Sequence, residues 1–379
     1  MGPLAGIRVL EIRGIGPGPY AGMLLADMGA EVVVVERSAG TTGITIPAAA
    51  DVAMRGKQSI AINLKTPEGV ATLLTMVEQS DVLFEGFRPG VAEKLGIGPD
   101  VCLARNPKLI YGRITGWGQD GPLSQSAGHD INYISLTGSL AAIGGPDKPA
   151  VPLNLIGDYA GGSHFLVMGI LAALLEVQRS GKGQVIDAAI TDGSANLMAL
   201  FHTLGSLGQW RPDRQSNLLD GGAPFYDVYE TADAKHVSLG SLEPQFFAEF
   251  VRLAELDPDL FSQQHDVGRW PAQRQALNAR FIEKTRDEWA QLFEGSNACV
   301  TPVLTHAEAP HHPHNHARQT YLEIGGVTQP APAPRFSRTQ HEAVTPPRRE
   351  GSDTRAVLNR FGLADDEIST LIAKQAVME

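Results

Sequence analysis

The chain has 379 residues, 43% of them hydrophobic and 19% charged, which is enough for two domains with well-filled cores and unlike a disordered or fibrous sequence. A formal charge of -11 argues against a nucleic-acid partner, although a local basic patch would still accept a phosphorylated ligand. Two cysteines, Cys102 and Cys299, make no disulfide framework and fit a reducing cytoplasm; no stretch approaches the roughly 18 apolar residues of a membrane span.

Ile7–Ile12 reads as a strand with no signal peptide before it. A Gly/Pro turn, an amphipathic run Tyr20–Met28 and a valine-rich strand Glu31–Glu36 follow. Ser59–Ile62 and Val82–Phe84 read as further strands, with a helix over Pro67–Glu78 whose proline suits a first helical turn. Leu109–Ile114 continues an alternation that predicts an α/β layered domain. Tyr159–Arg179 reads as a long apolar helix stopped by Ser180-Gly181-Lys182-Gly183, then Gln184–Ala189 as a buried strand and Asp192–Gly208 as a helix. The character changes near Asp220-Gly221-Gly222-Ala223-Pro224. Beyond it, strands Tyr226–Glu230 and His236–Leu239 and helices Pro244–Ala254, Trp270–Phe281 and Arg286–Phe293 predict a second, smaller domain. Val327–Arg338 is dense in proline and reads as an extended return arm, and helices Asp353–Phe361 and Asp365–Lys374 close the chain.

Gly14-Ile15-Gly16-Pro17-Gly18-Pro19 follows a strand and opens a helix, with Glu36 ending the next strand, which mimics a dinucleotide-binding turn. Such a site relies on backbone N–H groups aimed at a pyrophosphate, and Pro17 and Pro19 have none. A rigid strand-to-helix turn is the better reading, with room for a ligand above it. His306, His311, His312, His314 and His316 match no structural zinc spacing and read as a solvated loop; the proton-transfer chemistry read below needs neither a metal nor a redox cofactor.

Gly128–His129–Asp130 and Gly157–Asp158–Tyr159 each put a proton-carrying side chain before a helix-like stretch. A histidine and a carboxylate so placed suit removal of a proton from one side of a carbon and its return from the other. Taken singly, each also fits an ordinary position at a helix start. Asp158 opens the expected helix Tyr159–Arg179, whose free N–H groups would be placed to hold an oxyanion. Burial would raise its proton affinity while the helix dipole would lower it, and the sequence leaves that contest open.

Several segments resemble the family III CoA transferases of the CaiB/BaiF superfamily: Gly14–Pro19, Asn63-Leu64-Lys65, Glu85-Gly86-Phe87-Arg88-Pro89-Gly90-Val91, Gly116-Trp117-Gly118-Gln119-Asp120-Gly121-Pro122 and Ser180–Asp187. Ala127–Tyr133, Leu153–Asp158, Asp220–Pro224 and Asn297–Val303 resemble the racemase branch of that family. The resemblance implies a Rossmann-like large domain built from both chain ends (1–195 and 330–379), a linker 196–222, a small α+β domain 223–318 and a return linker 319–329. It implies an interlocked homodimer as well. The implied reaction is interconversion of (R)- and (S)-2-methylacyl-CoA by 1,1-proton transfer through an enolate, with CoA as part of the substrate. His129 and Asp158 become the two proton carriers, and Glu243 the carboxylate that fixes the His129 tautomer. Asn154 is a further amide near Asp158. Arg37, Lys65, Arg88 and Lys94 fall at positions that contact CoA in the family. Ile62, Asn63, Leu64, Gly86, Phe87, Gly128, Asp130, Ile131, Asn132 and Tyr133 complete the implied walls around pantetheine and thioester.

The main rival is a CoA transferase of the same family, in which Asp158 attacks acyl-CoA covalently. His129 separates the two readings, because transferases of the family generally lack a histidine there. A silent acyl-CoA-binding protein would bind without turnover, and a dinucleotide oxidoreductase would require nicotinamide binding.

Overall fold

The computed structural model describes residues 2–37, 46–47, 50–339 and 344–379. The chain divides into two compact units. The first comprises Met1–Thr137, Leu153–Leu197 and His316–Glu379, and the second Gly138–Pro152 and Met198–Asn315. Gly138–Pro152, expected in the large domain, belongs to the second unit, and the expected linker 196–222 contains a helix, Ala199–Ser206. The single helix expected over Asp192–Gly208 is two, Ile190–Leu197 and Ala199–Ser206, and the units divide between Leu197 and Met198.

A seven-stranded sheet organises the first unit. Its strands are β1 (Arg8–Ile12), β2 (Glu31–Arg37), β3 (Gln58–Ile62), β4 (Val82–Glu85), β5 (Ile110–Thr115), β6 (Gln184–Ala189) and the terminal strand Val377–Met378. The order is terminal strand, β3, β2, β1, β4, β5, β6. Every pairing is parallel except that of the terminal strand with β3. Alternate residues of each strand point to opposite faces, and β1 to β5 are covered on both; β6, expected to be buried, is an edge strand with Gln184, Val185 and Asp187 exposed. Leu10, Ile12, Val33, Val35, Ile60 and Leu83 pack in one apolar layer with Leu73, Met76, Val357 and Phe361. Val9, Val32, Val82, Phe84 and Ile110 pack in the other with Leu25, Leu166 and Ile170. Strand order reverses between β1 and β4, the kind of crevice in which open α/β sheets hold ligands.

Helix α1 (Pro17–Asp27) starts from Gly16, whose φ of 67° is left-handed and suits glycine. A buried ion pair fixes this start: Lys57 Nζ lies 2.5 Å from Glu11 Oε2 and donates to the Pro19 carbonyl at 2.8 Å. Such a pair is held against its desolvation cost by these extra bonds, and removing one partner would strand a buried charge. Further on come α2 (Pro67–Val77), α3 (Val91–Lys94), α4 (Pro99–Arg105) and α5 (Asp130–Ser135).

The apolar helix expected over Tyr159–Arg179 is preceded by a π-helical stretch, Leu155–Ser163, and runs as an α-helix over His164–Ser180. Asp158 therefore lies inside the wider turn. Gly161 and Gly162 let this stretch approach helix Ile190–Leu197, since a Cβ on Gly161 would meet the Ser194 and Ile190 backbone. Contrary to the expectation of no such run, Leu155–Ser180 is 26 residues long and apolar enough to cross a membrane by length and composition alone. Scattered small and polar residues disguise this run in the sequence. In the fold its Leu166, Ile170 and Ala173 are core residues packed towards β5 and β6.

In the second unit, strands Tyr226–Glu230, His236–Gly240 and Val300–Pro302 form an antiparallel sheet. Helices Pro244–Leu253, Trp270–Phe281 and Arg286–Phe293 pack with it around Phe225, Tyr229, Phe250 and Trp289. Part of the expected return arm is a strand: Val327–Pro330 pairs with Tyr321–Ile324.

Candidate active site

A cavity of about 480 Å³ opens at the carboxyl ends of the parallel strands of the first unit. Ile12 ends β1, Arg37 ends β2, Phe84 lies near the end of β4, and Ile114 and Thr115 end β5; all line it. The floor is the turn Gly14–Gly18, and the walls include Gly86–Pro89, Trp117, Gly128, His129, Tyr133 and Asp158. His129 and Asp158 thus share one cavity.

Asp158 is half-buried. Gly16 lies under it, since a Cβ there would be 3.1 Å from Asp158 Oδ2. Ser163 Oγ donates to the Pro17 carbonyl at 2.8 Å and the Asp158 carbonyl at 3.1 Å, tying the π-helical stretch to the glycine turn. Burial, helped by the nearby Asp130 charge, pushes the Asp158 carboxyl up to about 6, against a hydrogen bond from Asn154 and the field of His129. Burial therefore wins the contest that the sequence left open. Of the oxyanion donors expected at the start of the Tyr159–Arg179 helix, the Tyr159 N–H already bonds the Asn154 carbonyl at 3.3 Å; just before it the Asp158 N–H donates to Asp130 Oδ2 at 2.6 Å, and the Gly157 N–H also bonds Asp130.

His129 precedes α5 in extended backbone and is exposed, with its N–H donating to Asn132 Oδ1 at 3.1 Å. Tyr133 packs edge-on against Trp117, ring centroids 4.8 Å apart, and its hydroxyl donates to the Gly128 carbonyl. A Cβ on Gly128 would run into both rings, so glycine is required before the histidine.

Among the implied CoA contacts, Arg37, Gly86, Phe87, Arg88, Gly128 and Tyr133 line the cavity. Neither Arg37 nor Arg88 has an ion-pair partner among the described residues, which leaves two cations for phosphate. Other residues depart from expectation. Asp130 is 6% exposed, bonded to backbone, and does not line the cavity. The Ile62 side chain is buried in the core, and Leu64 packs against that core. Asn63 accepts from the Lys65 N–H at 3.2 Å, while Lys65, Lys94, Ile131 and Asn132 are exposed and outside the cavity lining. The Asn63–Lys65 segment still adjoins the site, because Ile62 pairs in register with Arg37. Glu243 is exposed at the N-cap of helix Pro244–Leu253 in the second unit and is not among the lining residues. Sequence reasoning missed Arg13, Trp117, Ser124 and Ser126 as lining residues. Trp117 had a signal, since it sits in the quoted segment Gly116–Pro122. Among the described residues, no group of His, Cys, Asp or Glu is placed to hold a metal.

A strand-end cavity at the sheet's switch point, where His129 and Asp158 meet Arg37 and Arg88, two cations without an ion-pair partner among the described residues, defines an α/β enzyme for an anionic ligand. The sequence matches CoA-transferase family III over residues 4–354, and the chain belongs to that family. It is 44% identical to alpha-methylacyl-CoA racemase of Mus musculus, covering 99% of this chain and 97% of that protein. With the racemase of Homo sapiens it shares 42% identity over 97% and 96%. The crystal structure of a CAIB/BAIF family protein from Brucella suis is similar with a TM-score of 0.81 and 25% identity, covering 95% of this chain and 99% of that one.

Proposed function

We propose that this protein is an isomerase that interconverts (R)- and (S)-2-methylacyl-CoA through an enolate. The carrying observation is that His129 and Asp158 line one cavity, with the Asp158 carboxyl raised to about 6. The racemase relatives, alike over nearly the whole chain, support the same reading.

One group in its basic form takes the α-proton. The C–H electron pair moves towards the carbonyl and places negative charge on the thioester oxygen. The second group, protonated, returns a proton to the opposite face. Each turnover leaves the two protonation states exchanged, so both must be populated near neutrality. A carboxyl at its ordinary value would be protonated in fewer than about one molecule in a thousand at pH 7; one near 6 is protonated in about a tenth. Arg37 and Arg88 would hold CoA phosphates.

The same proposal includes an interlocked homodimer and Glu243 as the carboxylate that orients His129. Exposed Leu136, Leu155, Met168 and Leu175 on the first unit support burial against another chain.

Incubation with one epimer of a 2-methylacyl-CoA in D2O, with a free carboxylic acid present, tests the assignment. Loss of chirality with α-deuterium incorporation is expected. A retained epimer with CoA moved to the free acid would overturn it in favour of the transferase.

A further inference from the structure

We propose that Asp130 is a positioning residue that keeps Asp158 a proton donor: its buried carboxylate takes the backbone N–H groups beside Asp158 and sets a negative charge there. The inference rests on the reading of Asp158 as a proton carrier.

Three geometric facts lead to it. Asp130 accepts from the Asp158 N–H at 2.6 Å and from the Gly157 N–H, so donors that would stabilise an ionised Asp158 are occupied. Asp130 is 6% exposed, and its Oδ1 is buried with no hydrogen-bond partner, so its charge is poorly screened by water. Glycine is what permits the approach, since a Cβ on Gly157 would lie 2.5 Å from Asp130 Oδ2. A like charge so close disfavours a second ionised carboxyl.

The other groups facing Asp158 act in known directions. The Asn154 amide and the field of His129 favour its ionised form. The Tyr133 hydroxyl, whose own proton affinity is raised by burial and then by Asp158, is neutral near pH 7 and adds no charge. Asp130 is thus the acidic neighbour that opposes ionisation. Its own affinity is raised, burial outweighing the two backbone donors that lower it; Asp130 is required to stay ionised while Asp158 titrates, and the order of protonation tests that.

The test is a 13C titration of aspartate carboxyls in the full-length protein, with Asp130 and Asp158 assigned from D130N and D158N. The amide introduced by D130N would keep an oxygen for the two N–H groups and remove the charge. The Asp158 midpoint is expected to fall by about one pH unit in D130N. The step in α-deuterium exchange from the Asp158-dependent epimer should move down equally, an effect that simple loss of packing would not produce. An unchanged midpoint in folded D130N overturns the proposal. Should D130N not fold, the wild-type titration decides: Asp130 must protonate below Asp158, and the reverse order sinks the idea. Failure of the isomerase reading would appear separately, as wild-type protein that exchanges no α-proton while both carboxyls still titrate.

Discussion

Asp158 sits half-buried over Gly16, bonded by Asn154 and backed by Asp130, whereas His129 stands exposed at the start of α5. The two side chains reach the same cavity from different surroundings, and the difference follows from their chemistry. A carboxylic acid in water is ionised at neutral pH, so it can return a proton only where burial and a like charge raise its affinity. An imidazole ring carries one nitrogen able to donate a proton and one able to accept it, and needs no such setting. The aspartate is accordingly built into a π-helical turn, and the histidine is held by a short helix start.

The comparison is sharpened most by removing each carrier. D158N should lower α-deuterium exchange from one epimer about a thousandfold, and H129A should do so from the other. Equal losses from both epimers would break the two-face assignment.

A smaller effect concerns stability. The folded-state affinity of Asp158 is raised to about 6, so folding favours its protonated form. Its contribution is fully present below the unfolded value of about 4 and is lost as pH rises through about 6. D158N lacks that loss, so its stability relative to wild type should rise by at most about 2 kcal/mol between pH 4.5 and pH 7.5, and by less where solvent screens the half-buried carboxylate. Urea unfolding of both proteins at the two pH values measures it, and a constant difference would deny that burial strains this carboxylate.

The smallest expected change is at the exposed arginines. R88A should raise KM for acyl-CoA about tenfold and leave kcat nearly unchanged, as loss of uniform substrate binding requires. An unaltered KM would remove Arg88 from the CoA site.

Much of this organisation was legible beforehand. Gln184–Ala189, Tyr226–Glu230, Trp270–Phe281 and Arg286–Phe293 have the bounds expected from apolar patterning and turn residues. Those signals are local, so a single sequence carries them. The terminal strand Val377–Met378 and the hairpin strand Val327–Pro330 escaped notice, because short strands are defined by the partner they pair with. The π-helical turn escaped too. Glycine weakens a helix interior, and here close approaches explain its presence: Asp130 at Gly157, Ser194 at Gly161 and Ile190 at Gly162.

Residue identity by itself determined that this chain carries a histidine and an aspartate in family-specific segments, a glycine turn unfit for a pyrophosphate, and an α/β alternation that builds a parallel sheet. Tertiary structure alone decided which neighbours count. It brought His129 and Asp158 into one cavity, left Lys65 and Lys94 out of its lining, and turned Asp130 from an expected ligand contact into a buried partner of the Asp158 backbone. The reason is physical: side-chain chemistry is written residue by residue, while burial and the fields that set proton affinity come from groups distant in sequence.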